Sequence, residues 1–320
     1  MFAVVFPGQG SQKPGMGREL FQAYDESNAV FERVSAALGT DVAKLCFESD
    51  EDTLRQTQNA QIALFTVAMA AWRALKLKLP SSVRPSAFAG HSVGEYAALA
   101  AGRALTVEEA AKLVKLRGEL MASVGQSRKG AMSAILGLER DEVERVCREA
   151  STGEGVAVVA NDNCPGQIVI SGDAAAVERA GELAKSKGAK RVLALNVSGA
   201  FHSPLMEDAS RRIVEALRKA EFTVNPEGPL LYSNVTAEPA DLSSAWPLLL
   251  ETQLKMPVRW AETVRHMLRE GIRTFVECGP GEVLCGLIKR IDADARALNV
   301  GDPESLDRAV SALSASGVRA

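Results

Sequence analysis

The 320-residue chain predicts an α/β fold: a parallel sheet with helices on its faces, carrying a smaller inserted unit. Three observations predict it. Strand and helix signals alternate through the first 127 residues, and a Gly-x-Ser-x-Gly pentad marks one strand-to-helix junction. Between residues 128 and 197 the alternation gives way to a β-α-β-β-α-β order.

Each element has a local cause. The apolar run Phe2–Phe6 is a buried strand, and residues 21–38 repeat with helical period up to Gly39. Residues 61–77 form a mostly apolar helix stopped before Pro80. Ser86-Ala87-Phe88-Ala89 is strand-like, and residues 95–101 read as a helix. The next helix opens on a capping box, Thr106-Val107-Glu108-Glu109. Beyond Gly130 come a strand (131–138), a helix (140–150, with Val143, Val146 and Cys147 on one face) and a strand (156–160). A polar turn (161–166), a strand (167–171), a helix from Ala174 closed by Gly188 and a strand (191–197) complete the unit. That order is ferredoxin-like. The expected layout is a domain of residues 1–127 and 198–320 interrupted by a subdomain at 128–197. Long helices follow, with a strand at 274–277, and residues 311–320 are expected to fray.

Composition bounds the function. A hydrophobic content of 47% supports a sizeable core, and a net charge of −3 gives no basic footprint for nucleic acid or an anionic membrane. Five scattered cysteines (Cys46, Cys147, Cys164, Cys278, Cys285) lack C-x-x-C spacing, which argues against a disulfide framework or a zinc site. A reducing, cytoplasmic setting is expected, with no metal. The N-terminus has no basic region and reads as a strand, not a signal peptide. The longest apolar stretch, 62–72, is too short to span a bilayer.

Gly90-His91-Ser92-Val93-Gly94 has nucleophile-elbow spacing. A turn this tight strains the serine backbone and lifts Oγ clear of the sheet, and a Cβ at either glycine would collide with a neighbouring element. The helix that follows aims free N–H groups at whatever the serine attacks. The alternative is a plain structural turn. Ser92 needs a base, and the chain has three histidines. His91 should point away from the serine's cleft, and His266 fits a solvated helix position beside the stripe Trp260, Val264, Met267, Leu268. His202, in a loop between a strand and a helix, is favoured as the base; the competing reading is a helix-start residue bonded to its own turn. No acidic third member suggests itself, and a backbone or amide carbonyl would suffice to fix the imidazole tautomer.

Arg117 falls within the apolar stripe Ala110, Leu113, Val114, Leu120, Met121. A buried guanidinium needs an anion, so it either meets an internal acid or forms a fork for a substrate carboxylate. The loop Pro7-Gly8-Gln9-Gly10-Ser11-Gln12 fails both dinucleotide and P-loop patterns. It is either a tight strand exit or a place where a backbone N–H serves as an oxyanion donor.

Taken together, Gly8-Gln9-Gly10-Ser11-Gln12, the Ser92 pentad with Glu95-Tyr96, Leu116-Arg117-Gly118, Ala160-Asn161-Asp162-Asn163 and Phe201-His202-Ser203 resemble the malonyl-CoA:acyl carrier protein transacylases and the related acyltransferase domains of polyketide synthases. The resemblance runs from Phe2 to about Ile291 and includes Ser233-Asn234-Val235 and Glu277-Cys278-Gly279-Pro280-Gly281. It implies an α/β-hydrolase-like core, Ser92 as nucleophile and His202 as base. It also implies Arg117 for the malonyl carboxylate, and the Gln9 and Val93 N–H groups as oxyanion hole. Gln253 would orient the histidine through its main-chain carbonyl, and Gln61 would be a pocket glutamine, though Ile62 follows it where the family often has proline. Phe201 matches the Ala-Phe-His pattern of malonyl-selective members. The implied reaction is ping-pong malonyl transfer from coenzyme A to acyl carrier protein in fatty-acid synthesis, by a monomer without a resident cofactor. The rivals are a serine thioesterase or hydrolase on the same elbow, a polyketide-pathway malonyltransferase, and a non-catalytic module that docks carrier protein. Lys185, Lys187, Lys190 and Arg191 form a basic cluster whose plain reading is a solvated face.

Overall fold

The computed structural model describes residues 1–127, 129–153, 155–197 and 199–315. Its strands, in chain order, are β1 (Phe2–Phe6), β2 (Ala87–Gly90), β3 (Gly130–Leu136), β4 (Ala157–Cys164), β5 (Gln167–Asp173), β6 (Arg191–Ala194), β7 (Leu230–Leu231), β8 (Thr274–Cys278) and β9 (Arg296–Val300). They form two sheets. One is five-stranded and parallel, in the order β7-β2-β1-β8-β9. The other is four-stranded and antiparallel, in the order β4-β5-β3-β6. The expected α/β class, with an α/β-hydrolase-like core and a ferredoxin-like unit, is borne out.

The parallel sheet is covered on both sides, as its uninterrupted apolar strands require. Phe2, Val4, Phe6, Phe88 and Val276 enter one core, while Ala3, Val5, Ala87, Ala89 and Phe275 enter the other. The helix Thr57–Lys78 is long and apolar enough to cross a membrane by composition, but 83% of its most apolar window is buried inside the protein. It is a core helix. In the four-stranded sheet, Ile135, Ile168 and Ile170 pack under the helices Arg140–Ala150 and Ala174–Ser186. The other face contributes Met132, Ala134 and Val169 to the main core.

Several boundaries differ from expectation. The helix expected over 21–38 is two helices, Arg18–Ala23 and Asp25–Leu38, because Tyr24 adopts an extended backbone between them. The polar stretch expected as a turn at 161–164 continues β4, with register shifts at Val159/Asn161 and Asp162/Cys164. Such shifts bend and twist a strand locally. There Asn161 bridges Val258, with Asp162 N–H donating to Val258 O and Val258 N–H to Ala160 O, both at 2.9 Å. β6 ends at Ala194 rather than 197. The expected tail is helical through Ala315, and residues 316–320 lie outside the described residues. The Thr106–Glu109 box closes reciprocally at 3.1 Å on both sides.

Candidate active site

Ser92 stands where β2 meets the helix Gly94–Ala101, in left-handed backbone with φ 53°. The glycine requirement is severe. A Cβ on Gly90 would lie 1.9 Å from the Gly94 carbonyl carbon, and one on Gly94 would lie 2.3 Å from Phe6 O on β1. The elbow is tied from outside by Asn234, whose Oδ1 accepts from Ser92 N–H at 2.7 Å and whose Nδ2 donates to Gly90 O at 2.6 Å.

His202 Nε2 is 2.8 Å from Ser92 Oγ. Its backbone is also left-handed, φ 55°, and its N–H donates to Leu254 O at 3.1 Å. Nδ1 lies 2.8 Å from the main-chain oxygen of Gln253. A carbonyl only accepts, so Nδ1 carries the proton and Nε2 is free to take one. Burial, and after it the Arg117 charge, push the imidazole down to about 3, so it is held neutral.

Arg117 is fully buried and makes no ion pair among the described residues. Instead it donates to two neutral amides, Gln61 Oε1 at 2.7 Å and Gln253 Oε1 at 2.8 Å, and to Ser92 Oγ at 3.0 Å. Its Nε–H has no partner, and the guanidinium lies 5.9 Å from the Tyr96 ring centroid. Gly118 makes this geometry accessible. A Cβ there would come within 2.8 Å of Gln58 Cα, so only glycine lets the helix Val107–Ser127 approach Thr57–Lys78 closely enough to bring Gln61 to Arg117.

Gln9, Gln61, Ser92, Val93, Arg117 and His202 line one cleft of about 330 Å³, with Met132 and Leu195 also in its wall. The Gln9 and Val93 backbone N–H groups have no acceptor among the described residues. A larger cavity, about 1080 Å³, runs along β7 and is lined by Trp72, Lys76, Phe88, Arg103 and Leu231; it contains no nucleophile paired with a base. We place the chemistry in the smaller cleft because the reactive groups converge there. No cluster of three or more metal-ligating side chains occurs among the described residues.

Ser92, His202, Arg117, Gln9, Val93 and Gln61 thus meet at one cleft, and Gln253 joins them through Arg117 and His202. The other two histidines do not act on the serine. His91 Nε2 pairs with Asn163 Oδ1 at 2.9 Å beside the Trp260 ring, and His266 is half-buried with Nδ1 3.0 Å from Tyr232 Oη, not a fully solvated position. Two participants carried no role in the sequence reading. Glu95 is fully buried, accepts from Asn234 N–H at 2.9 Å and from Gln253 Nε2, and is pushed by burial up to about 7. Its signal was present: it is the only charge in the segment Gly94–Ala101. Asn234 had no such signal, since its partners are remote in sequence.

The acyl transferase domain model matches residues 3–307. A malonyl CoA-acyl carrier protein transacylase from Bacillus subtilis is 41% identical over 315 residues, covering 97% of this chain and 96% of its own. The structure of a transacylase of the same name from Coxiella burnetii superposes with a TM-score of 0.93 at 39% identity, covering 98% of this chain and 97% of that one. A malonyl-transacylase solved in complex with a type II polyketide acyl carrier protein superposes at 0.91, with 38% identity, covering 97% of this chain and 99% of that one.

Proposed function

The chain belongs to the acyl transferase family, and from that premise we propose that it moves a malonyl group from coenzyme A to the phosphopantetheine thiol of acyl carrier protein, in fatty-acid synthesis. The observation that carries this reading is a buried guanidinium, bound only by neutral groups, 3.0 Å from the serine that a neutral imidazole contacts. In malonyl the carboxylate sits only two carbons from the reacting carbonyl, so a cation beside Oγ selects a short diacid. A guanidinium already paired with an acid would have no such capacity.

In the first half-reaction the Ser92 Oγ–H proton passes to His202 Nε2 as Oγ bonds the thioester carbon. The oxyanion is received by the Gln9 and Val93 N–H groups, each worth roughly 10²–10³ in rate. The C–S bond then breaks, and the imidazolium returns its proton to the coenzyme A sulfur. The carrier-protein thiol reverses these steps, giving its proton to Nε2 and bonding the acyl carbon as Oγ leaves. Gln253 O holds the imidazole in place of an aspartate. The mechanism calls on no resident cofactor.

We also read residues 128–197 as an inserted subdomain, and the enzyme as a cytoplasmic monomer. Five free cysteines fit a reducing compartment. The test is intact mass after incubation with malonyl-CoA. A malonyl adduct on the unaltered protein, absent in Ser92→Ala, is expected. Free malonate released at full speed with or without an acceptor thiol would make the enzyme a thioesterase instead.

A further inference from the structure

We propose that Glu95 is a positioning residue that fixes which way the Gln253 amide points, and so keeps Arg117 directed at the acyl pocket; this rests on the reading of Arg117 as the malonyl carboxylate's partner. Gln253 is the junction of the site. Its main-chain oxygen holds His202, its Oε1 accepts from Arg117, and its Nε2 donates both to Ser92 O at 2.9 Å and to Glu95. An ionised carboxylate only accepts hydrogen bonds. Glu95 and the Ser92 carbonyl oxygen therefore both require the Gln253 NH₂ to face them, which turns Oε1 toward the guanidinium. With the amide reversed, an NH₂ would confront the cation.

The arrangement also solves a charge problem. Arg117 is buried and requires negative charge nearby, yet a carboxylate in contact would compete with the substrate's. Glu95 supplies that charge through Gln253, at one residue's remove. Burial raises the Glu95 carboxyl to about 7, and the Asn234 and Gln253 N–H donors, the Arg117 charge and the Ser233 side chain hold it from rising further.

Glu95→Gln tests the relay. The new amide has one accepting oxygen for two donors. The Asn234 backbone N–H cannot turn, so that oxygen goes to it, and the new NH₂ opposes the Gln253 NH₂, leaving the Ser92 carbonyl alone to hold that amide toward Arg117. The malonyl-to-acetyl ratio of kcat/KM should fall roughly tenfold or more, chiefly through the KM for malonyl-CoA. Acetyl labelling of Ser92 should stay within about threefold, because the Gln253 main-chain oxygen still holds His202. Gln253→Met, which removes the amide that Arg117 and Glu95 share, should lower the malonyl-to-acetyl ratio as well. The double variant should lose no more than either single one. A ratio unchanged in Gln253→Met or in folded Glu95→Gln overturns the proposal, as does an equal fall for both substrates. Should Glu95→Gln fail to fold, Glu95→Asp decides: a carboxylate one methylene short of Gln253 should lower the same ratio, and an unchanged ratio overturns the proposal. Absence of any malonyl adduct on the unaltered protein would defeat the transferase reading itself, and the relay with it.

Discussion

Arg117 and Arg140 show two ways to keep an arginine inside a protein. Arg140, in the four-stranded unit, is half-buried and surrounded by carboxylates: Glu144 at 2.8 Å, Asp162 at 3.3 Å, and Glu262 from the other side of the junction. Arg117, in the cleft, is wholly buried and meets only amide oxygens and a hydroxyl. The first arrangement spends the charge on structure. The second leaves it available, at a desolvation cost of several kcal/mol that, on the proposed reaction, the incoming carboxylate would offset. An absent acid next to a buried cation is therefore the more informative of the two environments.

The largest effect that sharpens this contrast is Arg117→Ala. Malonyl transfer should fall by about 2–3 kcal/mol, roughly 30- to 150-fold, while acetyl transfer is kept or gained. A variant that stays malonyl-selective would erase the distinction between the two arginines. The same variant has a pH signature. Arg117 is the second cause, after burial, of the lowered His202 imidazole. Removing a cation raises a neighbouring histidine, so the acid limb of acetyl transfer should move to higher pH than in the parent, still below the ordinary histidine value. An unmoved limb would separate the two groups electrostatically. Gln61→Met takes one neutral acceptor from Arg117 and should lower the malonyl-to-acetyl ratio by about 1 kcal/mol, roughly fivefold. Smallest of all is Arg140→Ala: chemical denaturation should register a loss of about 1 kcal/mol, with the selectivity ratio unchanged.

These contrasts also explain what the sequence discloses. The elbow was legible because its pattern is local: Gly90 meets Gly94 within the pentad, although the neighbour that excludes a Cβ at Gly94 is Phe6 on β1. Arg117 was legible because a charge on an apolar stripe violates a periodic pattern. The break at Tyr24 was not, since the apolar spacing continues through it. β7 and β9 were missed for different reasons, one having two residues and the other only its last residue fully buried. β4 was cut short because Asn161, Asp162 and Asn163 look like turn residues; they are buried in a bulged strand that joins the two sheets' surroundings. Asn234 and Gln253 depend on contacts across more than a hundred residues of chain, and the Gln253 position came only with the family resemblance.

The backbone seam between Ala160, Asp162 and Val258 bears on how the two acyl carriers take turns. With Ala160 and Asp162 laced to Val258, and Arg140 clasping Glu262 beside the lacing, a jaw swinging wide would have to break these bonds. On the proposed reaction none is needed. Coenzyme A and the carrier protein both end in the same slender pantetheine arm, so a single fixed doorway admits either, and bulk beyond the threshold stays outside.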